Sequence, residues 1–185
     1  MRYPESHKEE TRERIVASAS ALLRESGADG IGVADLMRAA GLTHGGFYAH
    51  FPSKEALVAE AASAAMGQTI AHLRATAEEA PRNEARQAIV DSYLDGRHRD
   101  HPGKGCAAAA LGADIARLSP ETRGALERRL EEMFALLEEY SGARSGSRQK
   151  AIAMFCTMVG ALLLSRTTRS RALSDEILEA GRAAL

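Results

Sequence analysis

Apolar residues recur along this chain at spacings of three and four, in segments cut by glycine and proline, without a run of alternating β-branched residues. A chain patterned in this way is committed to helices that bury one stripe each against other helices. Residues 11–25 place Ile15, Ala19, Leu22 and Leu23 on one face, and Gly27 stops that helix. Short helices are predicted over 33–40, ended by Gly41, and over 43–50, closed by Pro52. Ser53 caps a long helix reaching residue 79 before Pro81. Further helices are predicted over 83–98 and 106–118. Another runs from the Ser119-Pro120 start to residue 140, and the next covers 147–166. Loops fall at 99–105 and 142–146, and Ser174 caps a last short helix. The fold class is all-α, with nine or ten helices.

A length of 185 residues and a hydrophobic share of 45% allow a sizeable core and exclude a disordered chain. The formal net charge is −1, and the first sixty residues carry seven Lys/Arg against nine Asp/Glu, so any DNA surface must be a local patch. Cys106 and Cys156 are the only cysteines, too few and too unpatterned for a disulfide framework or a four-ligand zinc site. The first ten residues are charged and lack the apolar core of a signal peptide. The apolar stretch over 151–164 is too short to span a bilayer. A cytoplasmic protein with no membrane partner is expected.

Residues 32–51 read GVADLMRAAGLTHGGFYAHF, two short helices joined at Gly41-Leu42. Gly41 stands where a tight turn calls for positive φ, and Leu36, Ala40 and Leu42 are spaced to pack the two helices together. The second helix would expose small and polar residues, which permit close approach to a major groove. The expected DNA contacts are Gly32, Val33, Arg38, Thr43, His44, Gly45, Gly46, Tyr48, His50 and Lys54, with Thr43 also capping the second helix. An ordinary helical hairpin would show the same periodicity. The run AAGLTHGGFYAHFPSKEAL, however, resembles the TetR (tetracycline-repressor-like) family of bacterial regulators. The matching elements are Ala40-Gly41, Phe47-Tyr48-Ala49-His50-Phe51 and Ser53-Lys54-Glu55-Ala56-Leu57. Two positions depart from that family's pattern. Ala28 stands where an aromatic is common, and Gly32 where Ser or Thr usually caps, with Asp35 expected to bond back at the first turn.

The resemblance implies a DNA-binding domain over residues 8–67 and a ligand-sensing, dimerising domain over 68–185. It implies a homodimer on double-stranded operator DNA, released by a small-molecule effector, with no cofactor and no enzymatic activity. The last two long helices are expected to pair with those of a second chain. Their seam would be Leu126, Leu130, Met133, Phe134 and Leu137 on one, and Ile152, Phe155, Val159, Leu162 and Leu163 on the other. Residues 121–140 hold six acids against three arginines, whereas 141–173 hold six bases and no acid, which favours their pairing. Candidate effector contacts are Tyr93, Cys106, Leu111, Asp114, Met154 and Met158, positions that a plain helical core would equally supply. The segment over 103–126 is similar to a Gly-Cys-containing stretch in a subset of TetR-type regulators, some of which sense electrophiles through a cysteine. Cys106, at a helix start beside Lys104, is then either a reactive thiolate or a small packing residue. His98, Asp100, His101 and Cys106 offer an alternative metal set, and a flexible polar loop would look identical. A helical enzyme or metal protein with a fortuitous hairpin is the competing class. It lacks a nucleophile–base pair with motif support, a phosphate loop or a paired metal motif.

Overall fold

The structure, a computed structural model, describes residues 5–141 and 146–185. Among them there are only helices and turns: α1 (Glu5–Ser26), α2 (Val33–Ala39), a 3-10 helix (His44–Ala49), α3 (Lys54–Glu79), α4 (Ala85–Tyr93), α5 (Gly96–Asp100), a 3-10 turn (Pro102–Lys104), α6 (Ala107–Ile115), α7 (Pro120–Glu139), α8 (Ser147–Thr167) and α9 (Arg171–Ala183). The all-α expectation holds, and the predicted stop and cap residues explain most boundaries. Gly27 ends α1 at φ +78°, its N–H bonding the Leu23 carbonyl at 2.8 Å. Ser53 Oγ accepts the Ala56 N–H at 3.0 Å at the start of α3. Pro120 occupies the first turn of α7 behind the Ser119 cap.

α3 is the spine. Its face from Leu57 through Ala61, Ala65 and Met66 to Leu73 is buried, and α1, α4, α6 and α7 pack around it. Four alanines on that helix (61, 62, 65 and 77) are buried, and small side chains bring neighbouring helices close. α3 runs without interruption through residue 67, so one helix serves both the N-terminal head and the body. In the head, α1, α2 and the 3-10 helix close over Ile15, Leu36, Met37, Phe47 and Phe51, each at most 1% exposed. Each such side chain contributes about 2 kcal/mol of burial.

Three expectations are corrected. The helix over 83–98 is two helices, because the Asp95 carboxylate accepts the Arg97 N–H at 2.7 Å and starts α5 afresh. The loop over 99–105 is correspondingly occupied by the end of α5 and the 3-10 turn. α9 begins earlier than expected: Ser170 Oγ accepts the Leu173 N–H, while Ser174 lies buried, donating to the Ser165 carbonyl at 2.7 Å. The loop over 142–146 lies, except for Gly146 at φ +67°, outside the described residues. α8, at 21 residues, is long and apolar enough to cross a membrane by length and composition, against the shorter stretch inferred above. It packs against α6, α7 and α9.

Candidate DNA interface and sensor cavity

The turn of the helix-turn-helix is built as its sequence requires. Gly41 has φ +72°, its N–H bonds the Arg38 carbonyl at 2.9 Å, and the Leu42 N–H bonds the Met37 carbonyl at 2.9 Å. The second element is a 3-10 helix rather than the expected α-helix. Gly45 and Gly46 stand side by side in a six-residue segment, and each glycine disfavours α-helix by about 1 kcal/mol. Phe47 and Phe51 stack inward with centroids 5.8 Å apart, and Tyr48 stands edge-on to Phe47 with its ring 70% exposed.

Gly32, Arg38, Thr43, His44 and Gly45 are exposed, and Val33, Gly46, His50 and Lys54 are half-buried. Thr43 makes no side-chain cap, which leaves its hydroxyl unengaged by the helix. Asp35 does not bond back to the backbone; it pairs with Arg38 at 3.0 Å, one helical turn on. His50 turns Nδ1 inward, where burial and then the charges of Lys8 and Arg12 hold its pKa below the usual value. Arg12 is a residue the sequence did not single out. Its guanidinium lies 4.1 Å from the Phe51 ring centroid, bonds the His50 carbonyl and pairs with Glu60, fastening α1 to the end of the motif.

In the body, a cavity of 570 Å³ opens between α3, α4, α5 and the 3-10 turn. Leu73, Tyr93 and His98 line it together with Gln68, Thr69, His72, Ser92, Asp95, Arg97, His101, Lys104 and Gly105. His98 bridges two segments of its wall. Its Nδ1 lies 2.6 Å from the Tyr93 carbonyl oxygen, which can only accept, and its Nε2 accepts the Cys106 N–H at 2.9 Å. Those partners define the neutral Nδ1–H tautomer, and burial lowers the pKa to about 4. The adjoining Gly105 carbonyl accepts from the buried Arg24 guanidinium of α1 at 2.6 Å. Gly105 has no room for a side chain, since a Cβ there would lie 2.7 Å from the His98 ring. Asp114 on α6 accepts the Ala28 N–H at 2.9 Å, in the link between α1 and α2. Glu55 of α3 accepts both the Ser119 N–H at 2.6 Å and the Thr122 hydroxyl at 2.8 Å, bonds that lower its pKa. Head and body are therefore tied by directed hydrogen bonds as well as by packing.

The family model for bacterial regulatory proteins of the TetR type matches residues 15–61, the span from mid-α1 through the motif into α3. The chain belongs to the TetR family. It is similar to the HTH-type transcriptional repressor NemR of Escherichia coli K12, 28% identical over 150 residues, 80% of this chain and 73% of NemR. The crystal structure of E. coli NemR in its reduced form superposes with a TM-score of 0.79 at 26% identity, covering 95% and 94% of the two chains. A TetR-family regulator from Cytophaga hutchinsonii shares the fold, with a TM-score of 0.82 at 22% identity over 97% and 95%. As a TetR-family member the protein is a transcriptional regulator of a non-enzyme, DNA-binding family.

The body of this TetR-family protein departs from the sequence expectations at named positions. Of the candidate effector contacts, only Tyr93 lines the cavity. Cys106, Leu111, Met154 and Met158 are core residues, and Asp114 is engaged with the head. Cys106 is fully buried with Sγ 3.5 Å from the Met66 sulfur, and burial pushes its thiol up, overriding the lowering expected from a helix start and Lys104. Cys156 is the exposed thiol. The alternative metal set disperses: both His98 nitrogens are occupied, and Asp100 pairs with Arg99 and Arg171. The expected dimer seam is largely the chain's own core. Leu126, Met133, Leu137, Phe155 and Leu162 are at most 8% exposed, Leu130, Phe134, Ile152 and Val159 are half-buried, and only Leu163 is well exposed. The acid–base asymmetry of α7 and α8 acts within one chain, where Arg148 bonds Glu131 at 2.7 Å.

Proposed function

We propose that this TetR-family regulator is a cytoplasmic, ligand-responsive repressor that holds operator DNA as a homodimer. The observation that carries the reading is the chain of contacts from the cavity wall to the head: His98 to Cys106, and Gly105 to Arg24 of α1. An effector entering the 570 Å³ cavity displaces α5 or His98, and that displacement reaches α1 through Arg24. Coupling free energies of about 1–3 kcal/mol are enough to vacate an operator near half saturation. The similarity to NemR, a repressor, supports the direction of control.

The DNA face consists of Gly32, Val33, Arg38, Thr43, His44, Gly45, Gly46, Tyr48 and Lys54, with His50 contributing its outward nitrogen. Tyr48 is its most prominent member, because its ring projects into solvent beside two buried phenylalanines. Anisotropy titration on DNA from upstream of the protein's own gene, at fixed salt, tests the reading. Tyr48→Ala is expected to weaken binding roughly tenfold, about 1.4 kcal/mol, with an unchanged melting temperature. Unchanged affinity removes Tyr48 from the contact set. Lys54→Ala is expected to reduce the salt dependence by about one unit of slope per half-site, about two for the dimer.

The second copy packs on the outer face of α8 and α9. Leu163, Leu164 and Leu173 are 46%, 56% and 47% exposed, and Ala153, Cys156 and Gly160 extend the α8 face at helical spacing. A Cβ at Gly160 would meet open space, so nothing in the single chain fills that position.

A further inference from the structure

A second cavity, of 410 Å³, lies where α5, the last turn of α8 and the first turn of α9 meet. Four guanidinium groups line it, those of Arg99, Arg166, Arg169 and Arg171. Among the described residues, the carboxylates paired with these groups are two, Asp100 and Asp175, and they are shared. Arg99 is 5% exposed and already engaged, bonding Asp100 at 2.8 Å, Ser174 at 3.0 Å and Asp175. Arg171 draws on the same two acids, at 3.1 and 3.5 Å. Arg166 is half-buried and donates to the carbonyls of His98 and Arg99, at 2.6 and 3.1 Å, without an ion pair to any described residue. Arg169, at the rim, has neither a hydrogen bond nor an ion pair to any described residue.

We propose that this cleft binds a small oxyanion, the phosphate or carboxylate group of a metabolite, as a site independent of the larger cavity. Two carboxylates leave two of the four cations uncompensated, and a guanidinium removed from water favours a bonded anion. Guanidinium groups match phosphate and carboxylate oxygens through paired N–H donors, which isolated lysines do not. Arg99 and Ser174 brace the wall from within the core, so the opening is preformed and an anion joining Arg166, Arg169 and Arg171 orders few side chains.

Calorimetric titration of the full-length protein with pyrophosphate and with citrate, at constant ionic strength, tests the site. Saturable binding of one anion per chain is expected. Arg169→Ala should weaken it about tenfold without altering the melting temperature of the anion-free protein, since the side chain is exposed and unpaired. Arg169→Lys should fall between the two, keeping the charge and losing the fork. Tighter pyrophosphate assigns the site to phosphate compounds, and tighter citrate to carboxylates. Absence of saturable binding by either anion, or equal affinities in wild type and Arg169→Ala, overturns the proposal.

Discussion

His98 shows how much one side chain's surroundings decide. Its neutral tautomer joins α4 to the start of α6, and burial holds its pKa at about 4, below the ordinary 6.5. A depressed folded-state pKa means that the unfolded chain binds the proton first as the pH falls. The His98 contribution is thus complete above pH 6.5 and is lost as the pH drops towards 4, by on the order of 3 kcal/mol. Melting temperatures measured across that window should decline, and His98→Gln should show a shallower slope. An unchanged slope would assign the decline to other groups. The two cysteines diverge for the same reason. Cys106 is buried with a raised pKa and Cys156 is exposed in the single chain, so in a monomeric variant, where no second copy covers α8, an alkylating reagent at neutral pH should label Cys156 first. Mass spectrometry of the labelled chain checks this, and faster modification of Cys106 would show that the core opens around it.

At the scale of the element, the recognition segment is tuned for approach rather than for helix stability. Gly45 has no positive φ, and a Cβ there would meet nothing within 4 Å. Gly45→Ala should therefore fold normally and gain up to about 1 kcal/mol of stability, while its methyl group intrudes on the face pressed against DNA. A melting curve that rises or holds beside weaker operator binding is the expected pair of results; undiminished binding would place the groove elsewhere. The break between α4 and α5 is a comparable local device. Asp95 at the cap and Gly96 behind it turn the chain so that His98 and Arg99 face different neighbours, one the cavity wall and the other α9.

For the whole molecule, the oligomeric surface is the decisive question. Leu164→Glu alters a side chain that is 56% exposed, so the chain should stay folded while sedimentation shows monomer and affinity for a two-half-site operator falls at least tenfold. A folded variant that remains dimeric would move the interface off α8. Phe155→Glu, by contrast, would place a charge where the ring is 4% exposed, and should unfold the body. These two apolar positions share one helix and differ in whether the chain's own core covers them. Sequence alone determined the helices, the stop at Gly27, the positive φ at Gly41, the Ser53 cap and the motif of residues 40–57, because each rests on contacts within a few residues along the chain. α8 carries apolar residues on two faces, and periodicity is blind to which face the same chain covers. Only tertiary structure decided that. It alone also brought Arg24 to Gly105, Ala28 to Asp114 and Arg99 to Ser174, pairs 75 to 86 residues apart. And of the two readings the residues left open for Cys106, thiolate or packing residue, it placed the side chain as a buried thiol, because desolvation by the packed core outweighs a helix start and a nearby lysine.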